Sequence, residues 1–168
     1  MIRILIISIL IWTSPGYTNE IYIGQVGTNV TVTITQDGQN NRISTKSTAA
    51  SPATLYGKNQ TINFTQTGDN NKIGLYKHYY GSDNQTSSTM TAVQTGDGNT
   101  MYLDNHGDNN NFDATQIHNN AIMDLEIDYD DNSVMAKQQC STASCNQDHM
   151  ILNVFQGNNN NIKMGQGY

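Results

Sequence analysis

The stretch QTGDNNKI, residues 66–73, reads as a glycine-containing turn that runs into an apolar residue. Nearly the same letters recur as QDGQNNRI at 36–43, QTGDGNTM at 94–101 and NHGDNNNF at 105–112. A chain that spells one corner four times is built from repeats, and the spacing of the repeats fixes the architecture.

Taking the residue before each turn as an anchor, Gln25 and Gln36 are eleven residues apart, as are Gln94 and Asn105, and Asn105 and Gln116. Gln138 stands two such steps beyond Gln116, with Ile127 between them, and Ser47 and Lys77 fall one step after Gln36 and Gln66. Within a unit the apolar residues alternate with polar ones. Val30, Val32, Ile34 and Gln36 share one parity while Thr31, Thr33 and Thr35 hold the other. Ile62, Phe64 and Gln66, then Met123 and Leu125, and Val134, Ala136 and Gln138 repeat the pattern. A period of two with Thr and β-branched enrichment is that of strands with one face in and one face out.

Each eleven-residue step is therefore one strand and one tight turn. Gly27, Gly38, Gly68, Gly96 and Gly107 stand two residues after their anchors, where a sharp turn calls for positive φ. Asn41, Asn71, Asn99 and Asn110 stand five after, where an amide can turn inward and bond the turn backbone. Two steps make a coil of about 22 residues that cannot bury its apolar face alone. The fold class expected is all-β: a β-solenoid of about six strand–turn–strand coils stacked at about 4.8 Å, with two facing parallel sheets and uncapped ends. Gln25, Gln36, Gln66, Gln94, Asn105, Gln116, Gln138, Gln156 and Gln166 are expected inside, because an amide both donates and accepts and a column of amides satisfies itself. Residues 48–59, 78–88 and 139–150 interrupt the register and read as surface insertions rich in small and polar residues. The first two fall on one edge of the solenoid.

The 168 residues suit one domain, preceded by a leader. Met1 to Arg3, the apolar run Ile4–Trp12 and the break Thr13–Gly16 have the order of a secretory signal peptide, expected to cover 1–18 and leave 19–168 as the mature domain. The run falls short of the ~20 residues of a spanning helix, and no membrane span is expected in the mature chain. Removal of Arg3 moves the formal charge from −6 to −7. With lysines scattered singly and no basic patch, nucleic acid is excluded as a partner. Apolar residues make up 36% of the chain, too few for a conventional core but enough for a solenoid that buries polar ladders. In an exported protein Cys140 and Cys145 are expected to close a small loop as a disulfide; CSTASC has neither the CxxC redox spacing nor companion metal ligands.

The corners carry a resemblance. Gln36, Gly38, Asn41 and Ile43, then Gln66, Gly68, Asn71 and Ile73, then Gln94, Gly96, Asn99 and Met101, resemble the curlin repeat of curli amyloid subunits. Asn105, Gly107, Asn110, Phe112 and Gln116 carry the pattern with Asn in the first place, and the closing FQGNNNNIKMGQGY is similar to that family's last repeat. The resemblance covers about 21–168, with Ile, Val, Met or Phe where the family usually has Ala. It implies a secreted subunit that crosses the outer membrane unfolded with secretion and nucleation partners. It further implies assembly on the cell surface and a contribution to adhesion and biofilm matrix.

Polymerisation also follows from the residues. No capping segment separates the first candidate strand IYIGQ from the leader, and NIKMGQGY is the last, so both sheet ends invite strand addition. Copies stacked head to tail form an open filament. Asp37, Asp69, Asp97, Asp108 and Asp128 to Asp131 place negative charge at corners, restraining lateral clumping. No cofactor, metal site or catalytic residue is expected: DYDDNS at 128–133 lacks the Gly and Glu of a calcium loop, and His78, His106, His118 and His149 show no ligand spacing. A second class stays open, an acidic β-solenoid adhesin or virion fibre component that binds a surface glycan or receptor without polymerising.

Overall fold

A computed structural model describes residues 6–12, 18–45, 53–75, 88–105, 108–117, 119–127, 130–139, 149–154 and 161–166. Among them every regular element is a strand and every pairing is parallel. The chain begins with β1 (Ile6–Trp12), β2 (Glu20–Ile21), β3 (Ile23–Thr28), β4 (Thr31–Asp37) and β5 (Arg42–Thr45). It continues through β6 (Ala53–Lys58), β7 (Thr61–Thr67), β8 (Lys72–Leu75), β9 (Thr89–Thr95) and β10 (Thr100–Asn105). It closes with β11 (Asn111–Ile117), β12 (Ile122–Ile127), β13 (Ser133–Gln139), β14 (His149–Val154) and β15 (Asn161–Gln166).

Non-consecutive strands neighbour one another, as a coiling chain requires. The larger sheet runs β1-β4-β7-β9-β11-β13-β15, and the facing one β14-β12-β10-β8-β5-β2. The protein is an all-β parallel solenoid of about six coils. Thr31 pairs with Thr61, Thr61 with Thr89, Thr89 with Asn111 and Asn111 with Ser133, so successive coils take 30, 28, 22 and 22 residues. The shorter coils are two eleven-residue steps; the longer ones add eight and six residues (30 and 28 against 22) without shifting the paired strands.

The alternation read in the sequence becomes the packing. In β4 and β11, buried and exposed positions alternate strictly over the first four residues. Val32, Ile34, Ile62, Phe64, Phe112 and Ala114 from the larger sheet meet Ile43, Ile73, Met101, Leu103, Met123 and Leu125 from the facing one in a single core. Volumes compensate along the axis. Phe64 is followed by Ala92, Ala114 and Ala136 in its column, while the adjacent column reaches its bulkiest residue at Phe112. Such exchange keeps the interior dense, where a matched row of Phe would overfill it.

Two expectations need correcting. Residues 48–59 are not a plain surface excursion, because Ala53–Lys58 is strand β6 and pairs with β3 in a separate two-stranded sheet. The 30-residue coil is long enough for a third side. Gly27 is consequently no turn glycine: it lies inside β3 opposite Gly57. The chain turns instead at Asn29, at φ 57°. The apolar segment Ile6–Trp12 of the expected leader pairs with β4 over seven residues. Of the insertion 139–150, Gln139 ends β13 and His149 opens β14; Cys140 and Cys145 lie outside the described residues, as does the insertion 78–88 apart from Ser88.

Gly38 and Gly68 hold φ of 114° and 100° at the same corner of adjacent coils, and each corner also stacks on the next. Gly68 N–H donates to Asp37 O at 2.9 Å, and Gly96 N–H to Thr67 O at 3.0 Å. A Cβ on Gly68 would stand 2.5 Å from the Gly96 carbonyl oxygen, which is backbone and cannot swing aside. Gly68→Ala is expected to cost more than about 2 kcal/mol, from backbone strain plus this clash. Gly165→Ala, where an added Cβ meets nothing within 4 Å, should stay within about 0.5 kcal/mol. Chemical-denaturation midpoints of the two variants test the contrast.

Candidate functional site

The feature most able to carry a function is the column of amides through the larger sheet. Gln36, Gln66, Gln94, Gln116, Gln138 and Gln166 occupy one register position in β4, β7, β9, β11, β13 and β15. The first five side chains are fully buried. Gln36 Nε2 donates to Gln66 Oε1 at 2.7 Å, Gln66 to Gln94 at 2.9 Å, Gln94 to Gln116 at 2.9 Å and Gln116 to Gln138 at 3.1 Å. The second amide proton reaches across the coil, from Gln94 to Lys72 O and from Gln116 to Thr100 O, both at 3.0 Å. The column therefore ties coil to coil and also clamps the two sheets of one coil. Burying an amide costs several kcal/mol if it is left unpaired, so each residue depends on an identical neighbour one coil away.

A second column lines the corner after the larger sheet. Asn41 Oδ1 accepts the backbone N–H of Asn71 at 3.0 Å, Asn71 Oδ1 that of Asn99 at 3.0 Å and Asn99 Oδ1 that of Ala121 at 3.0 Å. Their Nδ2 groups bond glycine carbonyls of the following coil, Asn41 to Gly68 O at 2.8 Å and Asn71 to Gly96 O at 2.7 Å. Asn19 begins this column, accepting Asn41 N–H at 2.9 Å. Its 22-residue distance from Asn41 is the signal that could have revealed it. At the opposite corner Asn110 Oδ1 accepts Asn132 N–H at 2.8 Å, and Asn110 Nδ2 donates to Asn105 Oδ1 at 2.6 Å.

Not every anchor joins a column. Gln25 lies on β3, opposite Leu55 and away from the glutamine column, whose register partner below Gln36 is Ile11. Eleven residues from Gln36 is the same distance whether Gln25 sits on the facing sheet or on the third side. Asn105 is buried but pairs in register with Ile127, so the facing sheet has no amide ladder of its own at that position. Gly96 holds the expected positive φ of 105°. Gln156 and Gly107 lie outside the described residues.

Two properties of the corners escaped the sequence reading. The residue before the inward corner position takes the left-handed conformation: Asn40 at φ 56°, Asn70 at 59°, Asn109 at 55° and Asn120 at 59°. Gly98, at φ 69°, substitutes for asparagine in its coil. These residues tolerate that region because a short polar side chain bonds locally or, in Gly, because no Cβ intrudes. The corner aspartates also bridge coils. Asp69 Oδ1 accepts Gln39 N–H and Asp97 Oδ1 accepts Asp69 N–H, both at 2.8 Å. Asp130 Oδ1 accepts Asp108 N–H at 2.7 Å. Among the described residues no His, Cys, Asp and Glu are grouped to hold a metal ion, and no helix is long and apolar enough to cross a membrane.

β1 and β15 are the edges of the larger sheet, β2 and β14 those of the facing one. At the β1 edge the glutamine column is incomplete: Gln36 Oε1 is buried and accepts no hydrogen bond. Comparisons with protein-family models, curated proteins and solved structures returned no match.

Breaking the column mid-way should be costly in a pH-dependent manner. Gln94→Met leaves Gln116 Oε1 without its inter-coil donor and Gln66 Nε2 with only the 3.4 Å contact to Arg42 O; a loss of roughly 3 kcal/mol is expected. Gln94→Glu places a carboxyl in the same dry position. Burial raises its folded pKa above the unfolded value near 4.3, so the folded state holds its proton to higher pH. The introduced destabilisation is then small below about pH 4 and grows as pH rises towards 8. Unfolding midpoints of both variants across that range check the sign.

Proposed function

We propose that this chain is a secreted structural subunit that assembles into curli-like extracellular amyloid fibres, supporting cell adhesion and a biofilm matrix, with no enzymatic activity. The observation that carries the reading is that contacts between coils are made by the same residue types at the same position in successive coils. A glutamine bonds the glutamine above it, and an asparagine bonds the backbone beside the next asparagine. A coil recognised only by a copy of itself does not distinguish its own chain from another, so the forces that stack coils also stack molecules. Edge strands with open backbone groups supply the template, and buried amides enforce the register. The resemblance of the corners to the curlin repeat points to the same assembly, to outer-membrane export and to a nucleating partner.

Thioflavin-T kinetics on the chain from Asn19 to Tyr168, denatured and then desalted, test this. Sonicated seeds of the same protein should shorten or abolish the lag. A flat trace from a soluble β-rich monomer would overturn the fibre reading and turn attention to ligands of the insertion-bearing corners.

A further inference from the structure

The unpartnered oxygen of Gln36 identifies how copies join. In every described step of the glutamine column the donor is the Nε2 of the residue earlier in the chain and the acceptor is the Oε1 of the next. Gln36 donates forward to Gln66, so its own oxygen waits for a donor on the β1 side. That side is occupied by β1, and the residue in register with Gln36 is Ile11. Isoleucine has no side-chain donor, and Gln36 Oε1 is left buried and unsatisfied. A buried acceptor without a donor costs about 1–3 kcal/mol. β1 therefore matches β4 in backbone pairing and fails it at the one position on which the column depends.

A strand with glutamine at that register would remove the fault. Within the larger sheet β15 is the Gln-bearing strand at the far edge, with one sheet neighbour, β13. Its pairing with β13 puts Asn161 at the position of Ser133, Ile162 at that of Val134, Met164 at that of Ala136 and Gln166 at that of Gln138. Carried to the other edge in the same register, Asn161 would lie on Thr31, Ile162 on Val32, Met164 on Ile34 and Gln166 on Gln36. Ile162 and Met164 are partly buried against the core in their own molecule, and Val32 and Ile34 are core residues. Apolar thus meets apolar and amide meets amide, and the direction of donation continues without reversal.

We infer that the β4 edge is an acceptor site for β15 of a second copy, that β1 is a removable occupant of this site, and that Gln36 Oε1 takes its missing hydrogen bond from Gln166 across the joint. This rests on the fibre reading and adds to it the register and polarity of the joint, and a reason for growth to be held back while Ile6–Trp12 is present. The column that sets the register inside one molecule then runs unbroken into the next.

Cysteine pairing tests the joint. In register, Lys163 of one copy lies beside Thr33 of the next, and both side chains are exposed in the single molecule. Adjacent parallel strands stand about 4.8 Å apart, within disulfide range. Two populations, Thr33→Cys and Lys163→Cys, each with Cys140→Ser and Cys145→Ser, are mixed from denaturant, seeded, oxidised and digested. The full chain is run beside the chain from Asn19. The expected product is a 33–163 linked peptide in the fibres, formed at least tenfold more slowly by the full chain. Fibres that contain 33–33 or 163–163 links, or none, would leave the fibre reading intact and overturn this joint. Absence of seeded fibres from the unsubstituted chain would remove both. Ile11→Gln in the full chain supplies a donor to Gln36 from β1. It should slow assembly about fivefold further, roughly the worth of one hydrogen bond, and Ile9→Gln, in register with Ile34, should not. Equal or faster assembly of the Ile11→Gln chain would refute the role given to Gln36 Oε1.

Discussion

A primary amide in a dry interior needs a donor and an acceptor at once, and this protein meets the need by placing an identical amide one strand spacing away. The rest of its structure can be derived from that constraint. Gln66 has to sit directly between Gln36 and Gln94, so the strands carrying them must be parallel and in register. Parallel strands cannot be joined by a hairpin, so the chain must travel round a facing sheet before it returns. Each return needs two corners, and corners that stack at strand spacing leave no room for a Cβ at Gly38 or Gly68. Hydrophobic residues fill the space between the sheets, but they are interchangeable in a way the amides are not. Val, Ile, Met and Phe succeed one another in the Val32 column, while the Gln36 column admits no exchange from β4 to β15.

That difference explains how much of the molecule was legible. Alternation and the eleven-residue step survive in the letters because they reflect strand period and coil closure, and they led to the parallel solenoid and the glutamine column. The third side did not show. Nothing in ATLYGK at 53–58 alternates strongly enough to separate a strand from an insertion, and the spacing from Gln25 to Gln36 is compatible with two paths. Gly27 was misplaced for a related reason: the left-handed residue at that corner is Asn29, and Gly and Asn are near-equivalents for such a position. The corner aspartates read as solvated charge because a carboxylate that accepts a backbone N–H from the coil below is indistinguishable in sequence from one that faces water. Ile6–Trp12 presents the same ambiguity at the other end of the polarity scale, since an apolar run suits both a leader and a strand.

The division of labour between faces is equally plain. Outward positions of β4 and β7 are mostly threonine, which favours extended backbone and keeps hydrated hydroxyls on the surface. At the corners, Asp97 and Asp130 bond the preceding coil and stay exposed to solvent. Among charged residues, the outward faces of β4 and β7 carry Asp37 alone.

Mechanically, the solenoid is a series of plates held by bonds that run along its long axis. A pull along that axis loads every interface with the same force, and the assembly is as strong as its weakest plane. The planes differ. The plane across β1/β4, β2/β5 and β3/β6 holds seven, two and six paired residues, and the next, across β4/β7 and β5/β8, holds seven and four. The glutamine column adds a bond at each plane from Gln36 to Gln138, while Gln36 Oε1 on the β1 side accepts none. Backbone pairing is thus denser at the plane without a described glutamine bond than at the plane that Gln36 and Gln66 span, where the buried amide makes up part of the difference.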